Sequence, residues 1–351
     1  MDNIKLNVSF LRKRVPNLTI AAKEKGLRPA TVSNLCTGKT PVGRAEVRTL
    51  VALAELAECK IDDLIIRDNE VQMIETGIKA LDFLAPITRG GINGFIARPG
   101  MGQLVLLAEI FYRLRDKDFT TVLLIPYLDS PDLKEVKETS NILSQDTNSA
   151  YKKIIDVKEN QDVVLAVDRS LVVSGEIYSL LEKLKLPKEK TITTFLIDPT
   201  GEAVDEELPY GPLDTIWHFD AELVSRKLFP AINPVSSTSV ITEGAQLDKK
   251  HFNLQQRARK IMRRYRELRF LVNAFGYDKL QFPDKEIYNR GLRLESYLTQ
   301  AFFVSEPFTK KNGASVSLSD TLEDVSRILD GQLDEVNNDR LLYIGSLYHI
   351  T

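Results

Sequence analysis

From residue 72 onward, short apolar runs alternate with helical ones, and this pattern restricts the fold more than any other feature of the chain. NGFIA, TTVLLIPYL, DVVLAVD and TITTFLI read as strands, and LVLLAEIFYRL, GEIYSLLEKLK and AELVSRKLFPAI as helices. Apolar strands separated by helices predict a parallel sheet covered on both faces. Between the first strand and the first helix lies a glycine turn, RPGMGQ. A strand, a glycine loop and a helix in that order place backbone N–H groups at a helix N-terminus, where a phosphate can sit.

Residues 1–67 follow a different rule. Within them, residues 8–65 read as a cluster of short helices, and the whole stretch carries twelve Lys/Arg against seven Asp/Glu, whereas the whole chain has a net charge of −2. A basic head on an acidic body is what a DNA reader joined to another module would show. Thr19 is the expected N-cap before IAAKEK, and Gly26 ends that helix where the turn needs a positive φ. Pro29 then suits the first turn of PATVSNL. Val32 and Leu35 face inward, leaving Arg28, Ala30, Thr31 and Asn34 outward. A later run, VRTLVALAELAECKIDDLI, is expected to pack Leu50, Leu53, Leu56 and Ile61 behind them.

The stretch LTIAAKEKGLRPATVSNLCTGKTP, with its small Ala22, turn glycine, T-V-S-N-L segment and closing I-D-D-L, resembles the helix-turn-helix family of Cro and phage repressors. The resemblance implies that residues 29–35 enter the major groove. Arg28, Ala30, Thr31 and Asn34 would lie on or near bases, and Lys39 on phosphates. A helical bundle serving only protein contacts is the alternative.

A second resemblance covers nearly everything after residue 72. MIETGIKALDFLAPITRGGINGFIARPGMGQLVLL, DVVLAVDRS, WHFDAELVSRKLFPAINPVSSTS and GLRLESYLTQAFFVSEPFT follow one another as in the β subunit of rotary F-type ATP synthases. The family's N-terminal barrel is absent. The fold class this implies is multidomain: an all-α head at 1–67, a RecA-like α/β parallel-sheet domain at 68–245, and a C-terminal α-helical bundle at 246–351.

The catalytic residues of that family are not kept. A working phosphate loop ends in Gly-Lys-Ser/Thr, its lysine neutralising phosphate and its hydroxyl holding magnesium. Here the two positions are Gln103 and Leu104. Leu128, within Tyr127-Leu128-Asp129, stands for the carboxylate that positions water, and Val240 for an arginine. The chain is therefore not expected to be an enzyme. ATP or ADP held without hydrolysis is the one cofactor the resemblance leaves room for. Its contacts would be Arg98, Gly100, Met101, Gly102 and Gln103 in the loop, Asp168 at a strand end, and Phe229 and Phe308 on either side of the base. Each has a plainer reading: Asp168 capping a turn, the phenylalanines as core residues, Arg98 pointing to solvent.

In LQQRARKIMRRYRELRFLVNAF, one stripe holds Leu254, Ala258, Ile261, Tyr265, Leu268 and Phe275. The other face carries Arg257, Arg259, Arg263, Arg264 and Arg266 and would meet nucleic acid, solvent or a partner. Cys36 and Cys59 are the only cysteines, expected to be buried free thiols in a reducing compartment. No signal-peptide run and no stretch of about 18 apolar residues occurs, so a cytoplasmic protein off the membrane is expected. The expected function is a DNA-binding transcription regulator whose body forms homo-oligomers and senses an adenine nucleotide or a partner, such as ATP-synthase-like subunits. The alternatives are a DNA-associated ATPase and an interaction module mimicking an ATP synthase subunit.

Overall fold

The computed structural model describes residues 4–67, 72–115, 117–127, 131–157, 161–184, 190–205, 210–211, 213–242 and 247–349. The chain forms two compact units, Met1–Met73 with Ser239–Lys249, and Ile74–Thr238 with Lys250–Thr351.

In the first unit, helices Val8–Arg14, Leu18–Glu24, Pro29–Cys36, Val47–Leu56 and Ile61–Leu64 surround Leu11, Ala22, Val32, Leu35, Leu53 and Leu64. An antiparallel pair, Ile4–Leu6 with Ile65–Arg67, joins the two ends of this cluster. Asn17, not Thr19, occupies the N-cap of the second helix. Leu18 is buried and already helical, which draws Thr19 into the first turn. Leu50 and Leu53 are buried as expected, while Leu56 and Ile61 are only partly so. Leu53 has no exposed surface, and Leu53→Ala is expected to lower the stability of this unit by about 2–5 kcal/mol. A lower urea midpoint by far-ultraviolet circular dichroism is the check. Cys36 is buried and Cys59 half-buried, and neither is in a disulfide. Partial burial and the nearby Asp63 push the Cys59 thiol pKa up, away from the reactive thiolate.

The second unit is built on a seven-stranded sheet, in the order Thr238–Ser239, Thr215–His218, Ile92–Ile96, Ile192–Ile197, Asp162–Asp168, Phe119–Leu124, Ile142–Ser144. From Thr215–His218 to Ile142–Ser144, every neighbouring pair is parallel. Successive side chains of a strand point to opposite faces, and both faces here are apolar. Phe95, Leu123, Val164, Ala166, Phe195 and Trp217 enter one core, and Ile96, Val122, Val163, Leu165, Val167 and Leu196 the other.

Three helices of the C-terminal region, Lys249–Phe275, Asp284–Tyr297 and Leu318–Leu329, share a core of Leu254, Ala258, Met262, Tyr265, Leu294, Tyr297, Val325 and Ile328. Gly291 is required there, because a Cβ at that position would stand 2.4 Å from Cβ of Tyr265. The apolar stripe of the long helix is shorter than expected. Leu254, Ala258, Tyr265 and Leu268 are buried and Ile261 is half-buried, but Phe275, at the end of the helix, is 69% exposed. No described helix is long and apolar enough to cross a membrane.

The run AELVSRKLFPAI is not a helix throughout. Ala221–Ser225 is helical, and Lys227 then adopts φ 58°. Pro230 disfavours helical backbone at the residue before it, which opposes any restart.

Candidate functional site

Two regions gather the residues that the sequence singles out. In the first unit, the helix Leu18–Glu24 ends in a paired turn. Leu27 N–H donates to the Ala22 carbonyl at 2.9 Å and Gly26 N–H to the Lys23 carbonyl at 3.0 Å, with Gly26 at φ 78°. This is the glycine-dependent helix stop expected at that position. Arg28 is extended, Pro29 begins the next helix, and Val32, Leu35 and Cys36 are buried. Arg28, Ala30 and Thr31 are exposed, Asn34 is half-buried, and Lys39 is exposed in the following turn. No carboxylate occurs between Lys25 and Ala45.

The second region surrounds the glycine loop. Gly100 and Gly102 lie at φ 80° and 90°, and Gly102 is the N-cap of the helix Gln103–Leu114. The loop closes on itself: Met101 N–H donates to the Arg98 carbonyl at 3.3 Å, and Arg98 N–H to the Met101 sulfur at 3.2 Å. The N–H cradle is therefore narrower than residues 100–103, because the N–H of Met101 is turned inward. Gln103 is buried, and its Oε1 has no hydrogen-bond partner among the described residues. The Arg98 side chain is exposed and pairs with Asp205 at 2.9 Å, so its charge is partly neutralised there.

Asp168 caps the short helix Arg169–Val173 by accepting the Ser170 N–H at 2.9 Å. This is the plainer of its two readings. Phe229 is half-buried beside Leu223, Leu228 and Ala231, and its ring would stand 3.6 Å from a Cβ placed on Gly102. Phe308 is 72% exposed in the helix Glu306–Thr309, so it is not a core residue. Val240 starts a short turn, Val240–Thr242. Leu128 and Asp129 lie outside the described residues.

Several residues that sequence reasoning passed over hold this region together. Glu109, buried one turn above Leu106, accepts the N–H groups of Phe303 and Val304 at 3.1 and 3.0 Å and pairs with Arg113 at 2.7 Å. Arg113 donates to the carbonyls of Gly77 and Ala314. An ion pair four residues apart within an apolar helix was the available signal. Gln300 donates to the same two carbonyls and accepts the Lys79 N–H at 2.9 Å.

The basic face of the long helix is largely spent on internal contacts. Arg257 pairs with Asp330, Arg264 with Asp284 and Glu267, and Arg266 with Asp220, while Arg259 donates to the carbonyls of Leu84 and Ser237. Arg263 is exposed.

Lys79 is fully buried. Its ammonium donates to the carbonyls of Ile344 and Gly345 and lies 4.1 Å from the centre of the Tyr297 ring. Burial pulls its pKa down to about 7, against a smaller opposing pull from Asp324. An unfolded lysine titrates near pKa ~10.4, so above neutrality the unfolded chain binds the extra proton. Stability should then rise with pH from about 7 to about 9, by about 1 kcal/mol per unit, and Lys79→Met should flatten the rise. Urea unfolding at several pH values, followed by fluorescence of the single tryptophan Trp217, measures this.

No known protein-family model matches this chain.

Proposed function

We propose that this protein is a DNA-binding transcription regulator. Its helix-turn-helix head reads double-stranded DNA. Its ATP-synthase-β-like body does not hydrolyse nucleotide; it brings copies of the chain together and senses an adenine nucleotide or a partner protein. One observation carries the reading: the helix Pro29–Cys36 buries Val32, Leu35 and Cys36 while Arg28, Ala30 and Thr31 are exposed, within a stretch from Lys25 to Ala45 that contains no carboxylate. Arginine and asparagine suit such a face because each can bond a base edge at two points. A single helix-turn-helix gains a second half-site by pairing, which gives the body a role as assembly module.

For the body, the residues present fit a base and a phosphate but not magnesium. Phe229 lies against Gly102 at the start of the Gln103–Leu114 helix, whose first N–H groups have no partner within the helix. Leu104 offers no hydroxyl, and Gln103 no charge. Loss of one preorganised electrostatic group typically raises a barrier by about 3 kcal/mol. The reading is therefore of a nucleotide held and not turned over.

Gel shifts on genomic fragments at low salt, paired with a steady-state ATPase assay, test both halves. Shifts that weaken steeply with salt, and no turnover, are the expected results. Absence of any shifted fragment defeats the regulator. Turnover abolished by Asp168→Ala would make the body a DNA-associated ATPase instead.

A further inference from the structure

Phe229, the proposed base platform, is held from the C-terminal part of the chain. Its carbonyl accepts the backbone N–H of Gln300 at 2.9 Å, and its own N–H reaches the Tyr343 hydroxyl at 3.4 Å. That hydroxyl donates in turn to the carbonyl of Lys227. Lys227 and Tyr343, at φ 58° and 59°, both adopt backbone that side chains other than glycine rarely take. Such conformations persist only where the surroundings over-determine them. Around Tyr343 the surroundings do so. Its N–H donates to Thr299 Oγ1 at 2.8 Å, and the Lys311 ammonium stands 3.8 Å from the ring centre. The next residues are tied down as well, Ile344 and Gly345 by Lys79 and Leu347 by Asp324.

We propose that Tyr343 is a positioning residue of the adenine site: its hydroxyl joins the Lys227 turn to Phe229 and so fixes the ring against Gly102. A base then stacks on Phe229 while its phosphates reach the N-terminus of the Gln103–Leu114 helix. This rests on the nucleotide reading of the body. Residues 341–347 act as a strap, and ordering of the strap and binding of the base favour each other.

Tyr343→Phe keeps the ring and its contact with Lys311 and removes only the hydroxyl. The full chain and this variant are titrated by calorimetry with ADP and, separately, with tripolyphosphate, and their thermal midpoints are compared. Loss of one neutral hydrogen-bond link predicts about a three- to tenfold weaker affinity for ADP. Affinity for tripolyphosphate should not change, because it makes no use of the base platform. Equal ADP affinity in the two proteins overturns the role of Tyr343 alone. Parallel loss of both ligands together with a lower thermal midpoint also overturns it, since that marks general loosening. If the unaltered chain binds neither ligand, the nucleotide reading falls, and the positioning role with it.

Discussion

Arg28→Ala combined with Asn34→Ala is expected to lower affinity for the target duplex by at least about thirtyfold, since each two-point base contact is worth about 1–3 kcal/mol and every 1.4 kcal/mol is about tenfold. The fold should survive the change. Arg28 is exposed, Asn34 is half-buried, and the buried side of the helix is made by Val32, Leu35 and Cys36. Asn34 does contribute its carbonyl, which accepts the Thr40 N–H at 3.1 Å, but an alanine retains that group. Fluorescence anisotropy on a mapped target, with an unrelated duplex beside it, separates specific from non-specific loss. Lys39→Ala is the contrasting variant: a phosphate contact should weaken both duplexes alike and reduce the salt slope by about 1. A double variant that binds like the unaltered protein would place recognition on another surface.

Asp82→Ala should have the largest effect on the stability of the second unit, lowering it by about 3–5 kcal/mol. Asp82 is buried at 1% exposure and accepts the Thr76 N–H at 3.0 Å, the Thr76 hydroxyl at 2.8 Å and the Gly77 N–H at 2.7 Å. Alanine leaves all three donors without an acceptor in a place that water does not reach. The consequences extend further, because the carbonyl of Gly77 receives both Arg113 and Gln300. Arg113 ties the helix after the glycine loop to the carbonyl of Ala314, which Gln300 also reaches. Asp82→Asn retains one acceptor oxygen and should lie between the two. Urea unfolding followed by Trp217 suits the measurement, since this ring is buried and stacked on Phe195 with centroids 5.9 Å apart. An alanine variant within about 1 kcal/mol of the parent would show that residues 76–77 hold their turn without the carboxylate.

The features legible in the sequence were those written in one short stretch. Gly26 could be read as a helix stop because left-handed backbone and a helix end both favour glycine there. The strands DVVLAVD and TITTFLI were legible because burial on both faces favours near-continuous runs of apolar and β-branched residues. What escaped depends on distant partners. The left-handed turn at Lys227 cuts short an apparently helical run, and its carbonyl is held by Tyr343, far along the chain. Phe275 fits an apolar stripe and Phe308 a position given by resemblance, yet both are largely exposed, which depends on how the chain packs and not on local pattern. The strand Thr215–His218 is only four residues long, too short for periodicity to reveal, and its place beside Ile92–Ile96 is a matter of topology. At the glycine loop the residue types were readable, but the inward turn of the Met101 N–H was not.

The pairing of Ile4–Leu6 with Ile65–Arg67 brings the two ends of the basic head side by side, Ile4 opposite Arg67 and Leu6 opposite Ile65. The strand pair therefore works as a clasp: it ties the first and last turns of the head to each other, so that fraying at one end is resisted by the other.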